Sequence, residues 1–288
     1  MHTAVLCDKV IEYLDPKTNQ NFIDCTLGSG GHTFEILKRT APKGRILGID
    51  QDEQALFIAK AKAKEQKVGD RLSLAHGNFA TLQMITQQEK FRPVHGILFD
   101  LGLSSDQLER SGRGFSFQKS EPLDMKFNTE NPTSAEKILN FWSKRDLERM
   151  LREYGEEMFS GEIAETIVRS RAEKHIKRTD QLVDIILQAT PKWYHAKKIH
   201  AATRTFQALR IMVNQELDNL KEALPQSVEI LENQGTLVVI SFHSLEDRIV
   251  KNFLKEHSQL QLLTKKPVMA GESEIKNNPR SRSAKLRA

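Results

Sequence analysis

Apolar positions along this chain follow two rhythms. Over residues 22–100, short apolar runs alternate with helical stretches; over 109–200 only helical spacing is left. Residues 22–26, 44–50, 71–76 and 96–100 are apolar runs of strand length, the pattern of strands covered on both faces. Residues 54–67, rich in Ala, Lys and Glu, predict a helix between the second and third runs. Residues 80–89 predict a shorter one between the third and fourth. This alternation predicts a parallel sheet under helices, with a ligand site beyond the carboxyl ends of the strands. The glycines of 28–31, Asp50, Phe79 and Asp100 collect on that edge.

In the second rhythm, Thr133-Ser134-Ala135-Glu136 predicts a helix start with a capping box, and Ser143 to Asp146 an analogous one. Ile163, Ile167 and Val168 share a helix face, as do Leu182, Val183, Ile186 and Leu187 in a helix stopped by Pro191. A single amphipathic helix is then predicted, with Phe206, Leu209, Val213, Leu217, Leu220 and Leu224 in one stripe. Gln207, Arg210 and Asn214 lie beside that stripe, placed to hold neighbouring loops. Residues 235–242 read as a fifth strand, and Ser244 as the cap of a helix carrying Ile249, Phe253 and Leu254. Residues 260–264 and the stretch near Pro267 and Val268 predict a closing strand pair. The expected organisation is a discontinuous sheet domain of 1–108 and 201–288, interrupted by an all-helical domain of 109–200.

Composition changes this picture little. The 288 residues are 39% hydrophobic, and 43 Lys and Arg against 38 Asp and Glu give a net charge of +5, a lean toward polyanionic partners. Two cysteines, Cys7 and Cys25, exclude a disulfide scaffold, and no His/Cys cluster has metal-ligand spacing, so no metal is expected. No apolar run approaches the ~18–20 residues of a membrane span, and no basic, then apolar, leader opens the chain. The expectation is a cytoplasmic protein without membrane contact.

The chemistry concentrates between Phe22 and Asp50. Gly28-Ser29-Gly30-Gly31 follows the first strand, and Asp50 ends the second. Glycines let backbone approach a ligand closely, and an acid after strand two accepts hydrogen bonds from two ribose hydroxyls. A dinucleotide fingerprint would put its third glycine where Thr33 stands, with a pyrophosphate on the helix N-terminus. Asp24, just before the loop, suits a cofactor with a cationic amino group. The combination favours S-adenosylmethionine over the cofactor of an NAD-type oxidoreductase; the bland alternative is a plain strand-to-helix turn. Phe79 is either an adenine neighbour or core, and His32 either a cofactor contact or a helix cap. Phe115 and Phe117, with Arg113 nearby, either stack on bases or anchor a loop. Arg169, Arg171, Lys174, Lys177 and Arg178 form one basic run, a solvated face or an RNA footprint. Arg280, Arg282, Lys285 and Arg287 form another, either a disordered tail or, the favoured reading, an arm that orders on RNA.

Together these segments resemble the MraW (RsmH) family of small-subunit ribosomal RNA methyltransferases. The motifs run nearly end to end: His2 with Val5 and Leu6, DCTLGSGGH (24–32), GIDQD (48–52), DLGLSSDQL (100–108), GFSF (114–117), PLDMK (122–126), YGEE (154–157), TFQALRIMVNQEL (205–217), SFHSLEDR (241–248) and NPRSRSAKLR (278–287). Ala4 stands where proline is common, and Lys126 where arginine is, which removes the bidentate fork from that position.

The resemblance implies an α/β, Rossmann-like class I S-adenosylmethionine-dependent methyltransferase fold with an inserted helical domain for substrate recognition. It implies methylation of the N4 atom of one cytidine in the decoding region of 16S rRNA. Cofactor positions carry over onto Gly30, Gly31, His32, Asp50, Phe79, Asp100 and Gln107. The implied partner is 16S rRNA within the small ribosomal subunit, with self-association left open. The N4 lone pair is delocalised into the ring, so transfer needs an acceptor at the amino N–H and in-line placement of nitrogen, methyl and sulfur. The base must also be splayed out of its stack. Asp100 is the leading acid, touching N4 or serving the cofactor alone. His243, at the end of the fifth strand, either orients the base or ties two loops together. A non-enzymic alternative is an RNA-binding assembly factor that keeps the fold without turnover.

Overall fold

The computed structural model describes residues 4–288; His2, in the opening motif, lies outside the described residues. The chain forms two compact units, one of residues up to Gly102 together with Leu217–Ala288, the other of Leu103–Glu216.

The first unit is built on seven strands: β1 (Phe22–Asp24), β2 (Ile46–Asp50), β3 (Leu72–His76), β4 (Gly96–Asp100), β5 (Thr236–Ser241), β6 (Val268–Met269) and β7 (Lys285–Arg287). Their order is β3-β2-β1-β4-β5-β7-β6. Strands β1 to β5 pair in parallel, and β7 runs antiparallel to β5 and β6. The order reverses between β1 and β4, the place where open α/β sheets hold their ligands. Side chains alternate faces along each strand. Ile97 and Phe99 of β4 therefore join Ile23, Leu47, Ile49 and Val239 in one apolar cluster, completed by Leu220, Leu224 and Val250. Leu98 points the other way, with Phe22, Ile46, Val238 and Ile240, into a cluster closed by Val10, Phe34 and Leu37. Both faces are thus dry, as the apolar runs require.

The second unit is helical, with a core of its own that includes Leu139, Leu147, Leu151, Ile163, Ile167, Leu182, Ile186, Phe206 and Leu209. Ser134, not Thr133, caps the helix Ala135–Phe141, accepting from the Lys137 amide. Ser143 caps Lys144–Gly155 as the pattern indicates.

Three further readings are corrected. The stripe from Phe206 to Leu224 is two helices, Thr203–Asn214 and Glu216–Ile230, separated by Gln215 in a left-handed conformation at φ 52°. Phe206, Leu209 and Val213 pack in the helical unit, whereas Leu220 and Leu224 pack under the sheet. The two compact units divide in the chain at Gly102–Leu103 and at Glu216–Leu217. Residues 260–264 form no strand; β6 pairs with β7 instead. The basic C-terminal segment is not a free arm. Arg280 and Arg282 lie in the 3-10 turn Pro279–Ser283, and Lys285 and Arg287 are built into the sheet as β7, where the buried Arg287 grips Asp247 at 2.7 and 3.3 Å.

Candidate functional site

The carboxyl ends of β1, β2 and β4 carry Asp24, Asp50 and Asp100. The chain leaves β1 through a loop fixed by hydrogen bonds to its neighbours. The Cys25 amide donates to Leu98 O at 2.9 Å and the Leu27 amide to Ile49 O at 3.0 Å. Thr26 Oγ1 accepts from the Asp100 amide at 2.6 Å. Gly30 has φ +77°, and a Cβ there would lie 2.5 Å from Phe34 Cε2, so both conformation and space require glycine. The helix Gly31–Arg39 starts on Gly30 with no side-chain cap. His32 therefore does not cap it.

Asp50 is the best-held carboxylate of this edge. Its Oδ2 accepts from the Gly28 amide at 2.8 Å and its Oδ1 from the Asp52 amide at 2.9 Å. Burial pushes its carboxyl up to about 6, against the pull of those two hydrogen bonds. Each oxygen keeps a second lone pair with which to receive a ribose hydroxyl.

Asp24 is buried more deeply. Its Oδ2 accepts from Thr33 Oγ1 at 2.6 Å and its Oδ1 from the Thr26 amide at 3.2 Å. Burial raises its pKa, while Thr33, His32 and Thr26 oppose. Asp24 therefore shapes the glycine loop from beneath rather than facing a ligand amine directly, as the sequence suggested.

His32 and Asp100 meet across the loop. The buried imidazole places Nε2 3.3 Å from Asp100 Oδ2. Among the described residues neither ring nitrogen has a partner in strict hydrogen-bond geometry, so the Asp100 contact is an ion pair, and Asp100 Oδ1 is buried and unpaired. Burial alone would hold the imidazole neutral. The Asp100 carboxylate outweighs it, with help from Cys7 and Asp24, and the pKa is pushed up to about 10. The edge thus sets Asp24 and Asp100 about one imidazole, with Asp50 on the neighbouring strand β2 and Asp100 Oδ1 left open. Such unmet demand in a native fold marks a place for a ligand, and the surplus of acids suits a cationic one.

Phe79 opens the short 3-10 turn after β3 and packs edge-on against Phe99 at 5.4 Å. Gln107 lies in the helical unit. It is buried, and its side chain accepts from the Ser104 amide to complete a capping box on Ser105–Glu109. His243 follows β5 and caps Ser244–Glu256, a place the sequence assigned to Ser244. Its Nδ1 faces the Glu246 amide, and Glu246 Oε2 accepts from the Phe242 and His243 amides. His243 Nε2 is buried without a hydrogen bond, 3.2 Å from Glu246 Oε1.

Of the other candidates, Phe115 is core, stacked on Phe127 at 5.6 Å. Arg171 donates to Leu139 O, and Arg178 to Ser120, so these two guanidinium groups serve the helical fold. Asn214 holds Phe127 N and Met125 O, and Gln207 holds Tyr154 O, the loop-tying role their positions suggest. Thr26 and Thr33 were missed as site builders, because nothing in their spacing announces partners on other elements.

The sequence matches the MraW methylase family over residues 1–288. It is 45% identical to Ribosomal RNA small subunit methyltransferase H of Thermomicrobium roseum, over 100% of this chain and 92% of that protein. It is 43% identical to the protein of the same name from Sulfurihydrogenibium sp., over 99% and 97%. Among solved structures, one from Clostridium thermocellum, provisionally described as an rRNA-methylase, aligns over 100% of this chain and 97% of its own at 13% identity and TM-score 0.49. The end-to-end match and the identity to these relatives establish that the chain belongs to the MraW methylase family.

Proposed function

We propose that this chain transfers the methyl group of S-adenosylmethionine to the N4 amino group of a cytidine in the decoding region of small-subunit (16S) ribosomal RNA. The observation that carries the reading is the buried, unpaired Oδ1 of Asp100 at the β1–β4 switch, its other oxygen held by His32, together with the preformed acceptor Asp50, in a chain of this family. An acid-rich edge with open oxygen atoms fits a ligand that carries an ammonium and a sulfonium.

Gly30 and Gly31 give the cofactor close access to backbone, and Asp50 receives its ribose hydroxyls. Phe79 stands at the end of β3, one strand beyond, as a wall for the adenine. His32 holds one oxygen of Asp100 and leaves Oδ1 free to take an N–H from the cofactor ammonium or from the cytidine amino group. Gln107 is carried over as a cofactor position by the family resemblance alone. When bound, the sulfonium supplies an already activated methyl group. The chain's own work is to align N4 with it and to accept charge as the amino group becomes cationic. His243 Nε2, protonated because Nδ1 faces an amide N–H, is a donor for orienting the base.

The helical unit is the substrate-recognition part. The substrate is 16S rRNA in the context of the small subunit, and the reaction belongs in the cytoplasm. No helix among the described residues is long and apolar enough to cross a membrane. Nucleoside mass spectrometry of 16S rRNA from small subunits incubated with the protein and methyl-labelled S-adenosylmethionine tests the reading. A labelled N4-methylcytidine is expected; label on another base or atom would refute it.

A further inference from the structure

The helical unit carries an aromatic, basic surface that the cofactor edge leaves unused. Residues 191–200 read PKWYHAKKIH, with three lysines, two histidines and no acid. Trp193 in this segment is 54% exposed, whereas the adjacent Tyr194 is buried. The Tyr194 hydroxyl donates toward both oxygens of the buried Glu157, at 3.0 and 2.9 Å. Phe159 meets both rings edge-on, with centroids 5.7 Å from Trp193 and 5.0 Å from Tyr194. The indole is therefore braced by two rings, one of them anchored to a buried carboxylate, and yet half of it stays wet.

The cations around it have no carboxylate partner among the described residues. Lys197 Nζ sits over the Trp193 and Tyr194 rings, 4.9 and 5.0 Å from their centroids. Lys192, Lys197 and Lys198 are exposed, and none of them forms an ion pair among the described residues. At the end of the same segment the exposed His200 stacks on Phe117 at 4.7 Å and 16°.

A braced, exposed indole beside three ammonium groups without counter-charge contributes little to a core. It meets the needs of an unpaired nucleotide strand, because every base has a π-face for the indole and every phosphate a charge for a lysine. An apolar protein partner would leave the three lysines without counter-charge.

We infer that Trp193, with Lys192, Lys197 and Lys198, forms a docking surface for single-stranded ribosomal RNA, on which the indole stacks against an unpaired base and the lysines hold the flanking phosphates. Lys197, on its flexible stem, yields its place over the ring to the base and turns to a phosphate. The inference rests on rRNA being the substrate and adds an anchoring point in the helical unit.

The test uses the full chain and a single-stranded RNA oligonucleotide from the 16S decoding region. Trp193→Ala should weaken binding roughly 5- to 150-fold, and Trp193→Phe should recover most of it. The triple change of Lys192, Lys197 and Lys198 to Ala should flatten the slope of log affinity against log salt by about 2. In methyl transfer, KM for RNA should rise in both, while KM for S-adenosylmethionine stays at the parent value. Melting curves and cofactor titration identify any variant that fails to fold. Folded variants with parental RNA affinity and salt slope would overturn the docking surface and leave the methyltransferase reading intact. A parent protein that methylates 16S rRNA neither free nor in small subunits would instead overturn that reading. Defects seen only with assembled subunits, with normal binding to naked RNA, would assign the surface to a ribosomal protein and so refute it.

Discussion

Thr33 donates its hydroxyl proton to Asp24 across 2.6 Å, joining the first turn of the helix Gly31–Arg39 to the end of β1. Both side chains are buried, and the glycine loop spans the chain between them. Thr33→Val keeps the shape and removes the donor. It leaves a buried carboxylate oxygen unmet, at a cost of roughly 1–3 kcal/mol of stability. Denaturant unfolding should show that loss, and calorimetry a weaker grip on S-adenosylmethionine, with Thr33→Ser restoring both. A valine variant as stable as the parent would remove the pair from the account.

Asp50 sets an acid limit on cofactor binding. Its carboxyl is pushed up to about 6 by burial, and the ionised form receives the ribose hydroxyls. Affinity for S-adenosylmethionine should therefore fall as pH drops through about 6, by up to tenfold per unit. Its effect on folding has the opposite sense. The native state takes up this proton more readily than the unfolded chain, so the penalty of keeping Asp50 ionised shrinks on acidification below about 6. Titrations of the cofactor at about pH 5 and 7.5 check the first statement; equal affinities would contradict it.

His32 should be an imidazolium throughout the neutral range because Asp100 faces it. Its raised pKa means that the stability it lends is complete below about 6.5 and fades as pH climbs toward about 10. Asp100→Asn should return the imidazole toward its ordinary range and abolish methyl transfer, with the fold kept. Ring proton shifts followed by NMR across pH measure the first effect. An unmoved titration would show that another group holds the charge.

His243 separates capping from chemistry. Asparagine caps helices well, so His243→Asn should melt close to the parent, whereas His243→Ala should lose about 1 kcal/mol. Methyl transfer should fail in both, since each lacks the Nε2 donor. An active asparagine variant would reduce His243 to a cap.

The sheet half was readable because its signals are local. Apolar runs of strand length, a glycine loop and the acids that end β1, β2 and β4 sit within short windows. The break at Gln215 was not, since Val213 and Leu217 keep helical spacing straight through it; one stripe serves two separate cores. The His32–Asp100 pair depends on β1 and β4 being neighbours, which spacing along the chain cannot tell. The C-terminal charges looked like an arm because Arg287's partner, Asp247, lies 40 residues upstream. His243 as a cap was hidden by the more usual serine beside it.

The helical unit is inserted between β4 and β5, and this has a consequence for synthesis. While the ribosome makes Leu103–Glu216, the backbone donors and acceptors along one side of β4 have no strand to bond. At ordinary elongation rates that interval lasts on the order of ten seconds. An unprotected border of this kind invites pairing with other nascent chains. Conditions that slow translation within the insert should therefore lower the yield of soluble protein more than equal delays after β5 has emerged.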